Sequence, residues 1–273
     1  MDNNYAIAYQ GSSGSYSEEL LKKEFPNYNH FPTESFTELI SYIKSNGGVG
    51  LLPVENSIAG TVNEAYEELI DSGLSIFGEY IYKINHSLIG LDGSHIKKIT
   101  NVISHPQALQ QCSKFLQQYN FRITPVFDTA GSVYEILEKN DLNTAAIAGE
   151  HFEYDNRFVI LQKNISNHQE NFTRFLLIGS EDPLINKSKN KISSVLISDD
   201  KPGSLLKSLN IFSDLGINLT KLESRPILGR PWEYKFYIDY ELESLEVQIE
   251  LEGKISDVSK EFKILGHYQM ASQ

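Results

Sequence analysis

Over residues 1 to 180, short apolar runs alternate with amphipathic stretches that open on capping residues, and this alternation constrains the chain more than any other feature. Tyr5 to Tyr9, Val49 to Val54, Ser75 to Glu79, Asn101 to Ser104 and Ala145 to Ala148 read as strands, short and bounded by turn-forming residues. Between them Phe36, Leu39, Ile40 and Ile43 recur at helical spacing behind Ser35, and Glu38 completes a capping box. Ser15 with Glu18, Thr61 with Glu64 and Ser104 with Gln107 repeat the device, and Asp128-Thr129 offers one more helix start. Strands alternating with helices dictate an α/β architecture. At Ser35 the cap means only that a helix begins. The other starts follow strands through short loops, where helix N–H groups and the macrodipole gather anions. Several of them converging on one crevice would suit a substrate with more than one carboxylate.

The polar, patternless residues 181–190, among them Asn186, Lys187, Ser188, Lys189 and Asn190, predict a linker. Beyond it, strand Ile192 to Ser198 leads through Pro202 and Gly203 to a helix carrying Leu205, Leu206, Leu209 and Phe212, closed by Gly216. Ile217 to Glu223 and Tyr234 to Tyr240 read as strands. Leu245 to Phe262 suits a helix, and Ile264 to Tyr268 a closing strand. The order βαββαβ is ferredoxin-like. Gly203 lets the backbone approach a ligand closely, and Asn218 stands at a strand start.

A formal net charge of -12 argues against a general nucleic-acid binder, because phosphate neutralisation needs clustered Lys and Arg. No run approaches the roughly 20 apolar residues that span a bilayer, and the N-terminus lacks the pattern of a signal peptide. No membrane association and a cytoplasmic location are therefore expected. The single cysteine, Cys112, sits in an apolar helical pattern and reads as a small core residue. No set of His, Cys and carboxylates has metal-ligand spacing and no Gly-rich nucleotide fingerprint is present, so neither metal nor cofactor is expected.

Five segments carry a resemblance, in order. Val49 to Thr61 contains Pro53-Val54-Glu55-Asn56-Ser57, which resembles the Pro-x-Glu-Asn-Ser segment of prephenate dehydratases. Gly11-Ser12-Ser13-Gly14-Ser15-Tyr16-Ser17 resembles that family's opening loop, Ser104-His105-Pro106-Gln107 its Ser-His-Pro-Gln helix start, and Asp128-Thr129-Ala130 its Thr-Ala helix start. Asn171-Phe172-Thr173-Arg174-Phe175 matches its Asn-x-Thr-Arg-Phe motif. Downstream, Lys201-Pro202-Gly203-Ser204-Leu205-Leu206 and Gly216 to Pro226, ending in Glu223-Ser224-Arg225-Pro226, are similar to the ACT domain that accompanies this enzyme. Ser12 and Ser15 stand where the family usually has Pro and Thr, and Ser204 where Ala is common; Ser15 keeps the capping hydroxyl.

The resemblance implies a two-lobed, periplasmic-binding-protein-like catalytic unit over residues 1–180, with lobes of about 1–78 with 165–180 and 79–164. It further implies a linker at 181–190 and an ACT domain at 191–273. The implied activity is decarboxylative dehydration of prephenate to phenylpyruvate, regulated by L-phenylalanine. The enzyme would be monofunctional, because no chorismate mutase-like helical segment precedes residue 1, and a homodimer or homotetramer. Arogenate dehydration, or non-catalytic sensing of a small anion, are the alternatives.

On that reading Thr173 donates a hydrogen bond or relays a proton to the departing hydroxyl, Arg174 grips a carboxylate with its planar fork, and Phe175 shapes the pocket wall. Taken alone, the three residues equally describe a strand with alternating faces and a surface ion pair. Glu55, Asn56 and Ser57 could contact the ring hydroxyl and carboxylate, or serve as turn chemistry after Pro53. Gln107 and Gln111 share one helix face, which lines either the cleft or solvent. Ser15, Thr61, Ser104 and Thr129 mark helix starts facing the substrate. His86 and His105 could add positive charge or be satisfied by their neighbours. Gly203, Ser204, Leu205, Leu206 and Asn218 would hold phenylalanine, with Glu223, Ser224, Arg225 and Pro226 supporting an interface between two such domains or coupling it to the cleft.

Overall fold

A computed structural model describes residues 6–182, 189–242 and 244–271. Tyr5, at the head of the first expected strand, and residues 183–188 of the expected linker lie outside them. The chain opens with β1 (Ala6–Gln10), α1 (Tyr16–Glu24), β2 (Asn29–Thr33), α2 (Phe36–Asn46), β3 (Val49–Asn56), β4 (Gly60–Thr61), α3 (Asn63–Ser72) and β5 (Ser75–Lys83). It continues through β6 (His86–Leu91), β7 (Asn101–Ser104), α4 (Pro106–Gln111), α5 (Ser113–Leu116), β8 (Arg122–Pro125), α6 (Gly131–Lys139), β9 (Thr144–Gly149), β10 (Phe158–Gln162) and β11 (Phe172–Gly179). The remainder is β12 (Lys191–Ser198), α7 (Ser204–Asp214), β13 (Leu219–Ile227), β14 (Arg230–Glu241), α8 (Leu245–Ser256) and β15 (Ser259–Tyr268). Two compact units result, Met1–Asp71 with Ile81–Phe175 and Ser72–Tyr80 with Leu176–Gln273.

One sheet runs β2-β1-β3-β11-β5 with β4 beside β3, and a second runs β10-β6-β9-β7-β8. In the first, β1 pairs in parallel with β2 and β3, so Ala8 stands opposite both Phe31 and Gly50. In the second, β7 pairs in parallel with β8 and β9. Two α/β sheets of this kind are the lobes of a periplasmic-binding-protein-like architecture. The inner strands of the second sheet, β6, β9 and most of β7, bury both faces. Val102, Ala145 and Ile147 join Leu109, Cys112 and Leu116 on one side, while Ile103, Ala146 and Ala148 join Val133 and Ile136 on the other. Parallel strands covered on both faces read as continuous apolar runs, which is why Ala145 to Ala148 was visible as a strand. Burial pushes the Cys112 thiol up to about 12, as befits a core residue.

Thr61 pairs with Glu55 in the β3–β4 ladder, two residues ahead of α3, which begins at Asn63. One of the expected helix starts is corrected. Ser104 is fully buried and gives its hydroxyl to Ile147 O at 2.7 Å. The cap of α4 is His105, whose Nδ1 accepts from Gln107 N, with Pro106 in the first turn, where a missing N–H costs nothing. Ser15 and Ser35 cap α1 and α2 as expected.

In the second unit β13-β14-β12-β15 form an antiparallel sheet. Phe212 of α7 and Leu251 and Ile255 of α8 join Ile192, Leu196, Ile238 and Tyr240 in one core, giving the ferredoxin-like order. The expected helix from Leu245 to Phe262 stops at Ser256, and Phe262 stands in β15 opposite Leu196. The Ser256 and Ser259 hydroxyls bond back to the carbonyls of Glu252 and Ile255, competing with continuation of the helix.

Candidate active site

In the first unit, a cavity of about 360 Å³ is lined by the loop after β1, the starts of α1 and α4, residues 128–130 before α6, and the ends of β3 and β9 with the starts of β6 and β11. Helix starts following parallel strands therefore do meet at one place, as the strand-to-helix loops suggested. Two of them already hold an internal anion. Glu18 accepts from Gly14 N at 2.7 Å, and Asp128 accepts from Ala130 N at 3.1 Å, Gly131 N at 3.2 Å and Ser12 N at 3.3 Å. Among the described residues no Lys or Arg lines the cavity, and Asp128 is the only acidic lining residue. The polar groups it offers are N–H, O–H, imidazole and amide groups.

Of the expected residues, Thr173, Phe175, Asn56, Gln111, Ser15, His86, His105, Gln107 and Thr129 line this cavity. Glu55, Ser57, Thr61, Ser104 and Arg174 do not. Side chains alternate along a strand, so Thr173 and Phe175 point one way from β11 and Arg174 the other. Arg174 is buried, 3.5 Å from Glu55 and 3.4 Å from the Tyr66 hydroxyl. The fork expected to grip a carboxylate thus lies off the cavity lining, beside Glu55. Ser57 accepts from Phe172 N at 2.9 Å and donates to Glu170 O at 3.3 Å, clipping the end of β3 to the start of β11.

Asn56 organises the floor of the cavity. Its Oδ1 accepts from Ile58 N at 3.0 Å and Ala59 N at 2.9 Å. Because backbone N–H groups only donate, the other amide atom must be nitrogen. That Nδ2 shares its two hydrogens among Asn171 Oδ1 at 2.7 Å, Thr173 Oγ1 at 3.1 Å and Phe172 O at 3.2 Å. Toward that nitrogen the Thr173 oxygen can only accept, so its own hydrogen points elsewhere. Beyond Asn171, its Nδ2 donates to Gln111 Oε1 at 3.0 Å, which also meets His86 Nε2 at 2.9 Å. The far ring nitrogen, His86 Nδ1, lies 3.0 Å from the Tyr16 hydroxyl.

His86 is 3% exposed, and burial pushes its imidazole below the ordinary range against the opposing bond to Gln111. Both ring nitrogens are met by neighbours, Gln111 and Tyr16, and burial works against a charge on the ring. Burial likewise raises the Tyr16 phenol well above its ordinary value. Two glycines permit close approach at this seam. A Cβ on Gly14, whose φ is +78°, would lie 2.5 Å from the Phe152 ring, and one on Gly149 would lie 3.2 Å from the Tyr16 ring. His151 Nε2 meets Gly14 O at 2.8 Å. Tyr16, Asn171, Asp128 and His151 were not singled out from the sequence as site residues. Period-two spacing from Thr173 back to Asn171 was the signal available for one of them.

In the second unit, Gly203, Ser204, Leu205 and Leu206 line a hollow of about 440 Å³ with Asp199, Asp200 and Lys201. Asn218 lies outside it and accepts from Glu241 N through its backbone. Glu223, Ser224, Arg225 and Pro226 also lie outside it, on the terminal strand β13, where Glu223 pairs with Arg225 and Lys221.

A family model described as prephenate dehydratase matches residues 7–183. The chain is 36% identical over 245 residues to the prephenate dehydratase of Methanocaldococcus jannaschii, covering 87% of this chain and 89% of the relative. It is 33% identical over 275 residues to arogenate dehydratase/prephenate dehydratase 2 of Arabidopsis thaliana, covering 96% and 72%. Among solved structures, the Arthrobacter aurescens prephenate dehydratase in complex with L-Phe shares the fold at a TM-score of 0.87 and 23% identity, covering 97% of this chain and 90% of that one. GqqA, described as a novel type of quorum quenching acylase, superposes at a TM-score of 0.86 and 27% identity over 98% of both chains. A cavity that meets anions with oriented donors, a hydroxyl held by an amide in the Asn-x-Thr-Arg-Phe motif, and a family match over most of the chain lead to one conclusion: this chain belongs to the prephenate dehydratase family.

Proposed function

We propose that this chain converts prephenate to phenylpyruvate in the cavity of its first unit, with Thr173 donating to the departing ring hydroxyl. The observation that carries the reading is the bond from Asn56 Nδ2 to Thr173 Oγ1, which leaves the hydroxyl hydrogen as the group offered to substrate. In the reaction the bond to the ring carboxylate breaks. Its electron pair aromatises the ring, and the C–O bond at the opposite carbon opens. The hydroxyl leaves with a proton as water, and carbon dioxide departs. An alcohol is a weak acid, so Thr173 acts by a hydrogen bond to the developing hydroxide, the proton being replaced from solvent. Ser15, Gln107, Gln111, His105 and Thr129 supply polar groups around the carboxylates, and Phe175 packs on the ring. The work of catalysis is orientation plus donor placement.

Residues 1–180 are the catalytic part on this reading, with lobes of about 1–78 with 165–180 and 79–164. Residues 181–190 link it to an ACT domain at 191–273. L-phenylalanine binds the second unit near Gly203 and regulates activity, in a cytoplasmic homodimer or homotetramer. The complex with L-Phe in the Arthrobacter relative supports the effector. No described helix is long and apolar enough to cross a membrane. The acylase description of GqqA sets a competing chemistry on the same fold. Acyl transfer would need a nucleophile activated by a base, whereas Thr173 faces an amide donor. The test is phenylpyruvate formation from prephenate, run beside arogenate and an N-acyl amide, each with and without phenylalanine. Turnover of prephenate that responds to phenylalanine is expected; arogenate turnover alone would move the substrate class, and release of the acyl group from the amide alone would overturn the reading.

A further inference from the structure

Six side chains, Thr173, Asn56, Asn171, Gln111, His86 and Tyr16, form one hydrogen-bonded chain at the cavity, and its polarity can be assigned from one end. Asn56 cannot flip, because its Oδ1 takes two backbone N–H groups. Asn171 cannot flip, because its Oδ1 takes Asn56 Nδ2 at 2.7 Å. Gln111 must then present Oε1 to Asn171 Nδ2 at 3.0 Å, since two amide nitrogens at that distance would oppose two donors. The same Oε1 meets His86 Nε2 at 2.9 Å, so that nitrogen carries the proton. Only one atom of the Gln111 amide, Nε2, has no hydrogen bond among the described residues, and Gln111 lines the cavity. At the far end the single Tyr16 hydroxyl hydrogen has two acceptors in reach, Asn85 O at 2.8 Å and His86 Nδ1 at 3.0 Å; in a buried neutral ring already protonated at Nε2, Nδ1 presents only a lone pair, so the hydrogen is shared toward it rather than given to Asn85 alone.

We propose that Tyr16 and His86 are positioning residues: Tyr16 donates to His86 Nδ1, which keeps the ring proton on Nε2 and locks Gln111 with its amide nitrogen turned out as a donor to substrate. The role rests on the dehydratase reading given above for what the donor meets, but the lock itself is a property of the unliganded protein. With the proton on Nδ1 instead, the Nε2 lone pair would face Gln111 Oε1 at 2.9 Å, two acceptors in contact. Gln111 could relieve that only by turning its nitrogen onto Asn171, losing the donor the cavity uses. Every member therefore supports the same outward display, Thr173 O–H at one end and Gln111 N–H in the middle, in a cavity without a cationic lining residue. His86 touches no reacting atom in this scheme.

Imidazole nitrogen NMR on the full-length protein at neutral pH, with His86 assigned by loss of its signals in His86→Gln, reads the tautomer directly. A protonated Nε2 beside a bare, hydrogen-bonded Nδ1 is expected; the reverse pattern, or both nitrogens protonated, overturns the proposal. Tyr16→Phe removes one hydroxyl and keeps the ring. It should shift the His86 Nδ1 resonance and lower kcat/KM for prephenate about tenfold, the scale of one lost hydrogen bond. His86→Gln, which keeps a donor near the place of Nε2, should retain more of kcat/KM than His86→Leu; equal losses in the two would also overturn it. Absence of prephenate turnover in the unsubstituted protein would instead strike the functional reading, leaving the tautomer result to stand or fall alone.

Discussion

The two faces of strand β11 carry opposite jobs within three consecutive residues. On one face, Thr173 and Phe175 look into a cavity whose lining includes no cationic side chain. On the other, Arg174 is buried against Glu55 and Tyr66. A motif that reads as a single catalytic signature therefore divides by the two-residue period of a strand into a cavity-facing side and a buried ion pair. Arg174 joins β11 to β3 and α3, while neutral polar groups line the cavity. On the proposed dehydration, donors fixed by backbone N–H groups would need no reorganisation as hydroxide develops.

The largest effect should come from the cavity face. Thr173→Val keeps the shape of the side chain and removes the donor, and kcat should fall about 10²–10³-fold, the scale of deleting one transition-state donor, with the unfolding midpoint little changed. On the opposite face the pattern should invert. Arg174→Met should cost about 1–3 kcal/mol of stability in denaturant unfolding, the cost of stranding buried polar partners, with a smaller effect on kcat in the folded protein. A collapse of kcat with unaltered stability would place Arg174 among the reacting groups and erase the contrast. The smallest effect concerns His86. Its imidazole is held below the 6.5 of an unperturbed side chain by burial, so the unfolded chain binds a proton at a higher pH than the folded one. Stability should then decline as pH falls below about 6.5 and continue to decline until the folded ring protonates. His86→Gln should flatten that slope, as seen in urea midpoints across pH 5 to 7.5; an unchanged slope would show that the ring is not held neutral.

Much of this was readable from the chain, for reasons that differ by element. Strands buried on both faces, such as β9, announce themselves as apolar runs, and the Ser15 and Ser35 caps carry a local signature. The strands β2, β6, β8 and β10 were not picked out. The first carries Pro32 in a mostly exposed run at the end of its sheet, where packing supplies little pattern. Cap positions slipped by a residue at His105, where the buried Ser104 hydroxyl binds the neighbouring strand instead. At the site, the residue types were visible but their directions were not, because strand phase depends on which face the sheet buries. Tyr16 meets His86, 70 residues away in sequence, and Asn171 meets Gln111 and Asn56, 60 and 115 residues away, a relation that local pattern cannot carry.

The central claim is that Asn56 works through Thr173 by fixing its hydroxyl as a donor. A double-mutant cycle in kcat tests it most directly, using Asn56→Ala, Thr173→Val and the pair. If the account holds, Asn56→Ala lowers kcat in the presence of Thr173, and adding it to Thr173→Val costs little more, because the group it orients is already gone. Fully additive losses would contradict the account and give Asn56 a contact with substrate of its own.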